Sequence, residues 1–303
     1  MEYHNTRSIY GRGWILPILT ALLILLINPF SLRAQSGDYR YPETNNLVAL
    51  VDEAASLIRM KGEDAFRDLS VKDSKWRKGD TYIFVLSPNG TFLVHEDPGM
   101  VGKNFLELKD KNGKPIVKWL IQKATGEKHC GWIHYLWTKP GQSEPVWKTT
   151  YVKLARTKYG KEYIVGCGLY DMKMEKAFAV DAVEDAIGLM KKDFPNAFKI
   201  LRDPTSEFVY KDSYVFVMDT TYTLLVDPPF PLLEGTNVYH YKDIYGKYIF
   251  REFMKVAKES GSGWVDYMWP RPGEKSQSKK SSFVKRAVIN KKMYLVGTGL
   301  YLD

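Results

Sequence analysis

The sequence predicts an α+β protein of two tandem domains, each with a five-stranded antiparallel sheet behind an N-terminal helix. Two observations carry this prediction. The first is a long internal repeat, in which GWIHYLWTKPG from Gly131 returns as GWVDYMWPRPG from Gly263, YIVGCGLY from Tyr163 as YLVGTGLY from Tyr294, and KDKNGKPI from Lys109 as KDIYGKYI from Lys242. The offset stays near 132 residues. Solenoid repeats run roughly 20 to 50 residues, so a unit this long must hold a core of its own. The second observation is the order of periodicities inside each unit, helical spacing first and alternating β-rich runs after it. At 303 residues and 45% hydrophobic content, the chain has apolar material for two such cores.

Residues 1–34 precede the repeats and differ in kind. Arg7 and Arg12 stand before the apolar run 14–30, and Ser31-Leu32-Arg33-Ala34 closes it, the layout of a secretory signal cleaved after Ala34. Pro17, Asn28 and Pro29 interrupt the run and count against the ~20-residue span of a membrane helix, so cleavage is preferred to retention as an anchor. Export places the mature chain in the periplasm or outside the cell, away from cytosolic nucleotides and intracellular cofactors. Losing residues 1–34 removes three arginines and one glutamate and lowers the net charge from +9 to +7. The lysines are spread along both repeats, so the charge reads as a basic solvated surface and not as a nucleic-acid site.

The first domain is drawn over 35–171 and the second over 172–303, with the boundary near Asp171. Leu47, Val48, Val51, Ala54, Leu57 and Ile58 in one, and Phe178, Val183, Ile187 and Met190 in the other, lay an apolar stripe along an opening helix. Ala65-Phe66 and Ala197-Phe198 mark a shorter helix. TYIFVLSPNGTFLVH from Thr81 is a hairpin turning at Asn89-Gly90, and SYVFVMDTTYTLLVD from Ser213 is its counterpart. A helix over 115–124 or 248–257 follows, then three strands over 132–137, 149–155 and 163–170, mirrored at 264–269, 281–288 and 294–301. Helices are expected on one side of each sheet and loops on the other.

Catalytic signatures are lacking: the sequence holds no G-x-S-x-G, H-E-x-x-H, phosphate loop or dinucleotide glycine motif, and no cofactor is implied. Cys130 and Cys167 have Ser262 and Thr298 opposite them in the second repeat, which favours two separate thiols over a disulfide. Asp110 to Lys114 resembles the start of a calcium loop but lacks its remaining acids, and reads as a glycine turn.

The hairpin ending in His95, Gly102-Lys103-Asn104, Lys109-Asp110 with Gly113-Lys114, GWIHYLWTKPG, Lys148 with Tyr151-Val152-Lys153, and the closing GCGLY together resemble a Cache domain of the single-Cache type 2 group. That resemblance, once per repeat over residues 45–303, implies PAS-like sensor modules similar to those of bacterial chemoreceptors and histidine kinases. It implies recognition of small organic molecules, commonly carboxylates, in modules that usually continue into a membrane helix and a cytoplasmic output domain; here the expectation is an exported ligand-binding protein without an output domain of its own, for which a membrane sensor or envelope protein is a candidate partner. The alternative is a scaffold whose repeats have lost ligand binding.

Strand alternation turns Tyr135 and Trp137 inward, where a phenol and an indole N–H could donate to a carboxylate. Lys148 would supply the charge, with Tyr151 and His95 completing the set; Tyr267, Trp269 and Lys280 are the second-domain equivalents. In a regular strand Lys148 and Tyr151 face opposite ways, so both line one pocket only if Lys148 precedes the strand or sits at a bulge. Asp227 and Phe283 replace His95 and Tyr151, which makes the first repeat the expected carboxylate site.

Overall fold

The computed structural model describes residues 39–302, so the predicted signal lies outside the described residues. No described helix is long and apolar enough to cross a membrane.

Helix α1 (Pro42–Lys61) opens the first repeat; proline in its first turn leaves no amide wanting there, and Gly62 at φ +63° ends it. The short α2 (Ala65–Leu69) follows. Strands β1 (Arg77–Lys78), β2 (Thr81–Leu86), β3 (Phe92–Val94), β4 (Cys130–Thr138), β5 (Pro145–Arg156) and β6 (Glu162–Tyr170) form one antiparallel sheet, and α3 (Ile116–Thr125) lies between β3 and β4 in the chain. Its order is β2-β6-β5-β4, with β1 and β3 both on β2. The two-residue β1 adds to the five strands predicted. Gly90 closes the β2–β3 turn at φ +93°, where a Cβ would also strike Leu106.

The second repeat repeats the plan. Helices α4 (Lys176–Lys192) and α5 (Phe194–Arg202) precede β7 (Val209–Tyr210), β8 (Ser213–Asp219) and β9 (Leu224–Val226); α6 (Ile249–Glu259) precedes β10 (Ser262–Pro270), β11 (Gln277–Ile289) and β12 (Lys292–Tyr301). The sheet order is β10-β11-β12-β8-β7, with β9 on β8.

Helices cover both faces of each sheet, not one as expected. In the first repeat α1 packs on Ile83, Val85, Val165 and Cys167, while α3 packs on Tyr82, Phe84, Leu86 and Ile164. Alternate residues of β2 and β6 thus feed two separate cores, which is why these strands read as continuous apolar runs.

The repeats meet through polar contacts, some buried and some at the surface. Lys114, 1% exposed, reaches from the first repeat to donate to the carbonyls of Ser206 (2.7 Å) and Val209 (2.6 Å). His134 stacks on Tyr210 at 4.0 Å, Lys123 pairs with Asp185 and Glu207, and Lys128 with Asp181. His134 is therefore an inter-repeat residue. Its counterpart Asp266 is exposed, and that difference in setting explains a His-to-Asp exchange that one common buried site would not tolerate.

Candidate functional site

Strand register builds the centre of the site. Lys148 on β5 lies opposite Tyr135 on β4 and Tyr170 on β6, so the three side chains share the face covered by α3. Tyr82 from β2 completes the enclosure: Lys148 Nζ donates to its hydroxyl at 2.9 Å and lies 4.1 Å from its ring centroid, with the Tyr170 ring at 4.8 Å. The Tyr135 hydroxyl is bonded to Thr150 Oγ1 at 2.9 Å. Room for the lysine stem comes from Gly168, where a Cβ would sit 2.6 Å from Lys148 Cε and would also collide with Thr150. The neighbouring Gly166 clears space for the Phe84 ring in the same way.

Lys148 is 1% exposed, and no carboxylate forms an ion pair with it among the described residues. Burial pushes its ammonium down to about 7; Cys167, Glu96 and Asp80 oppose this only from a distance. A buried cation without a counter-charge in contact is costly to the fold, and an anion entering beside it would relieve that cost.

His95 stands at the mouth, against Phe92 (4.9 Å), Tyr82 (5.1 Å) and Trp137 (6.3 Å). Burial, with the Lys148 charge second, pushes it down to about 4, so it is neutral near pH 7. The Asp97 amide donates to His95 Nδ1 at 3.0 Å, which leaves the ring proton on Nε2. Outside this gate is a cavity of about 430 Å³ lined by Arg77, Glu96, Pro98 and Lys139 together with Tyr82, His95 and Trp137. Inside it, against Lys148 and Tyr135, only about 10 Å³ is free, space for no more than one water. Tyr82, His95 and Trp137 belong to both spaces and form the wall between them.

Tyr151 is not brought to this site. It packs on Trp132 at 5.0 Å within the α1 core, on the opposite face of the sheet. Lys148 lies inside β5, and the β4–β5 ladder runs through both residues without a bulge, so strand alternation separates them. Residues that sequence reasoning passed over are Tyr82, Tyr170, Gly168 and Asp110. Asp110 Oδ1 accepts from the amides of Asn112 and Lys114 while Oδ2 accepts from that of Leu136, tying the glycine turn to β4. All four recur in the second repeat as Tyr214, Tyr301, Gly299 and Asp243, and that recurrence was the available signal.

The second repeat reproduces the lysine cage. Lys280, 0% exposed, lies opposite Tyr267 and Tyr301, with Nζ 4.1 Å from the Tyr214 centroid and 4.8 Å from that of Tyr301. Tyr267 bonds Ser282 Oγ at 2.9 Å. Trp269, unlike the half-buried Trp137, is fully buried; it donates to Tyr214 Oη at 3.0 Å and packs against Phe230, Tyr241 and Phe250. Asp227 stands in the place of His95.

Both cysteines are buried and free. No group of acid, histidine or cysteine residues among those described could hold a metal ion.

Two sheets of one plan, each enclosing one lysine, make a tandem α+β repeat, and the family comparison places it. The Cache domain model matches residues 69–187 and again 190–303, and the chain belongs to the Cache domain family. It is 26% identical over 191 residues to the methyl-accepting chemotaxis protein McpP of Pseudomonas putida, a match covering 59% of this chain and 34% of the relative, so the chain spans about a third of that protein's length. Among solved structures, it is similar to a Cache chemosensory domain described for carboxylic acid recognition (25% identity, 42% of this chain, 88% of that one, TM-score 0.35). It is similar also to the ligand-binding domain of the Pseudomonas fluorescens chemoreceptor CtaA solved with L-serine (11% identity, 84% and 86%, TM-score 0.31).

Proposed function

We propose that this chain is an exported, extracytoplasmic small-molecule sensor whose first repeat binds a small carboxylate, and that it is a ligand-binding module and not an enzyme. The observation that supports this reading best is Lys148, a buried ammonium with no carboxylate in contact, placed just behind an outer cavity of about 430 Å³. Lys148, His95 and Trp137, each able to donate, line the same inner space, the Trp137 indole being engaged by Tyr82. Entry requires the ring wall to give, because the inner space admits at most one water. His95 and Trp137, both only partly buried, are the side chains with room to move. A carboxylate that reaches Lys148 is then shielded from solvent, where the ion pair is strongest.

The test is a thermal-shift screen of small organic acids, amines and amino acids, followed by calorimetry on the best ligand. Lys148→Ala should weaken binding by about 30-fold or more, the loss typical of removing one partner from a buried charge pair. Lys280→Ala should leave it nearly unchanged. Equal affinity in wild type and Lys148→Ala would remove the lysine from the site, and loss confined to Lys280→Ala would move binding to the second repeat.

A further inference from the structure

The two lysine cages place the ammonium alike, 4.1 and 4.8 Å from two tyrosine centroids, but Lys148 also donates to Tyr82 Oη where Tyr214 Oη accepts from Trp269, and the residues at the mouth differ in charge. In the first repeat Glu96 and Asp80 act on Lys148 without pairing with it, and neither takes the His95 position. In the second, Asp227 follows β9 as His95 follows β3, and it is 3% exposed. Its amide donates to Glu234 at 2.7 Å, but its Oδ1 is buried without any hydrogen-bond partner, and it forms no direct ion pair with Lys280. Its charge is nevertheless felt by Lys280 and by Tyr214, Tyr267 and Tyr301, the four members of the cage. Burial raises the carboxyl and lowers the ammonium, and each charge partly offsets the effect on the other. Around them Trp269 and Phe230 are drawn in, where the first repeat leaves Trp137 at an open cavity.

We propose that Asp227 is a tethered carboxylate that takes, at the Lys280 cage, the place a ligand's carboxylate takes at the Lys148 cage, so that the residue at this one position decides which repeat accepts an anion. The proposal rests on the carboxylate reading of the first repeat. A buried acid with an unsatisfied oxygen is otherwise expensive, and a buried cation nearby is what makes it tolerable. By the same reasoning an anion from solvent would meet Asp227 as a like charge and be turned away. The second repeat then stays permanently in the neutralised condition that the first reaches only with ligand.

Two arms on the full chain test this. In the first, acetate, propionate, lactate and pyruvate are titrated calorimetrically into wild type and His95→Asp. The substitution should weaken the best binder by about 30-fold or more without lowering the melting temperature, since the sister repeat carries aspartate at this place; undiminished affinity would overturn the proposal. In the second arm, Asp227→Ala should melt below wild type in chloride, and formate or acetate should restore most of the loss. That rescue should vanish in Asp227→Ala/Lys280→Met. Rescue indifferent to Lys280, or none at all in a folded variant, would also overturn it. If Asp227→Ala does not fold, the isosteric Asp227→Asn keeps the shape and removes the charge; its stability should rise more steeply with pH above neutrality than that of wild type, and an unchanged slope would count against the tethered role. Should wild type bind none of the four acids, the reading of the first repeat falls, while formate rescue of Asp227→Ala still decides the role of Asp227.

Discussion

The proposed role of Lys148 would tie recognition to pH, because burial has brought its ammonium down to about 7. A carboxylate needs the protonated form, so affinity should be level from pH 5 to about 7 and then fall, approaching tenfold per pH unit. Calorimetry across pH 5 to 9 checks this. Stability of the free protein should run the other way. The folded pKa lies below the unfolded one, so between pH 7 and 10 the unfolded chain binds more protons and stability rises with pH. Lys148→Met should flatten that rise in chemical denaturation. At this scale the placing of Lys148, Tyr135 and Trp137 around one space was legible from residue chemistry and repetition and that of His95 from the family resemblance, whereas Tyr151 lies on the opposite face, as regular strand parity required. Tyr82 and Tyr170 were hidden because a recurring tyrosine in a strand reads as core until a charge is seen against its ring.

Among the elements, the closing strand of each repeat has the least freedom. Its G-x-G pair serves two neighbours at once, Gly166 the Phe84 ring and Gly168 the lysine stem, with Gly297 and Gly299 doing the same for Phe216 and Lys280. Gly168→Ala should destabilise by about 1 to 3 kcal/mol through overpacking. Because the clash falls on Lys148 Cε, it should also displace the ammonium and weaken carboxylate binding, whereas Gly166→Ala should cost stability with a smaller effect on affinity. Thermal melts paired with titration of the same ligand separate the two. Strand positions and helix order were readable because alternation and the repeat supported one another. The second helical layer was not, since an apolar run such as Tyr82 to Leu86 has the same appearance whether one face is covered or both.

Across the whole molecule, the repeats are joined by charge buried at their contact. Lys114→Met would leave the Ser206 and Val209 carbonyls without their donor and should destabilise by about 2 to 4 kcal/mol. If the junction couples the repeats, this variant should also split a single thermal transition into two, which calorimetry resolves. The equivalent Lys247 is only partly buried and donates to the single carbonyl of Asp266 at the solvent side, so Lys247→Met should cost less. The sequence alone could not separate these two lysines, because the same motif holds both and only the presence of a following repeat buries one of them. Export is tested separately: mass spectrometry of the envelope fraction should find a new N-terminus near Gln35, and retention of residues 15–30 in the membrane would support an anchor in place of a cleaved signal.

The duplicated lysine cage also bears on ancestry. A histidine codon and an aspartate codon differ only in their first base, so after duplication one point mutation separates the composition of the two cages at this position. Everything else that holds the lysine, from the glycine beside its stem to the tyrosines around its head, has been retained in both copies. On the proposed role of Asp227, an anion site could be gained or lost by exchange at this position together with repacking of the neighbouring tryptophan, and closely related chains should be found in which the two repeats have exchanged roles.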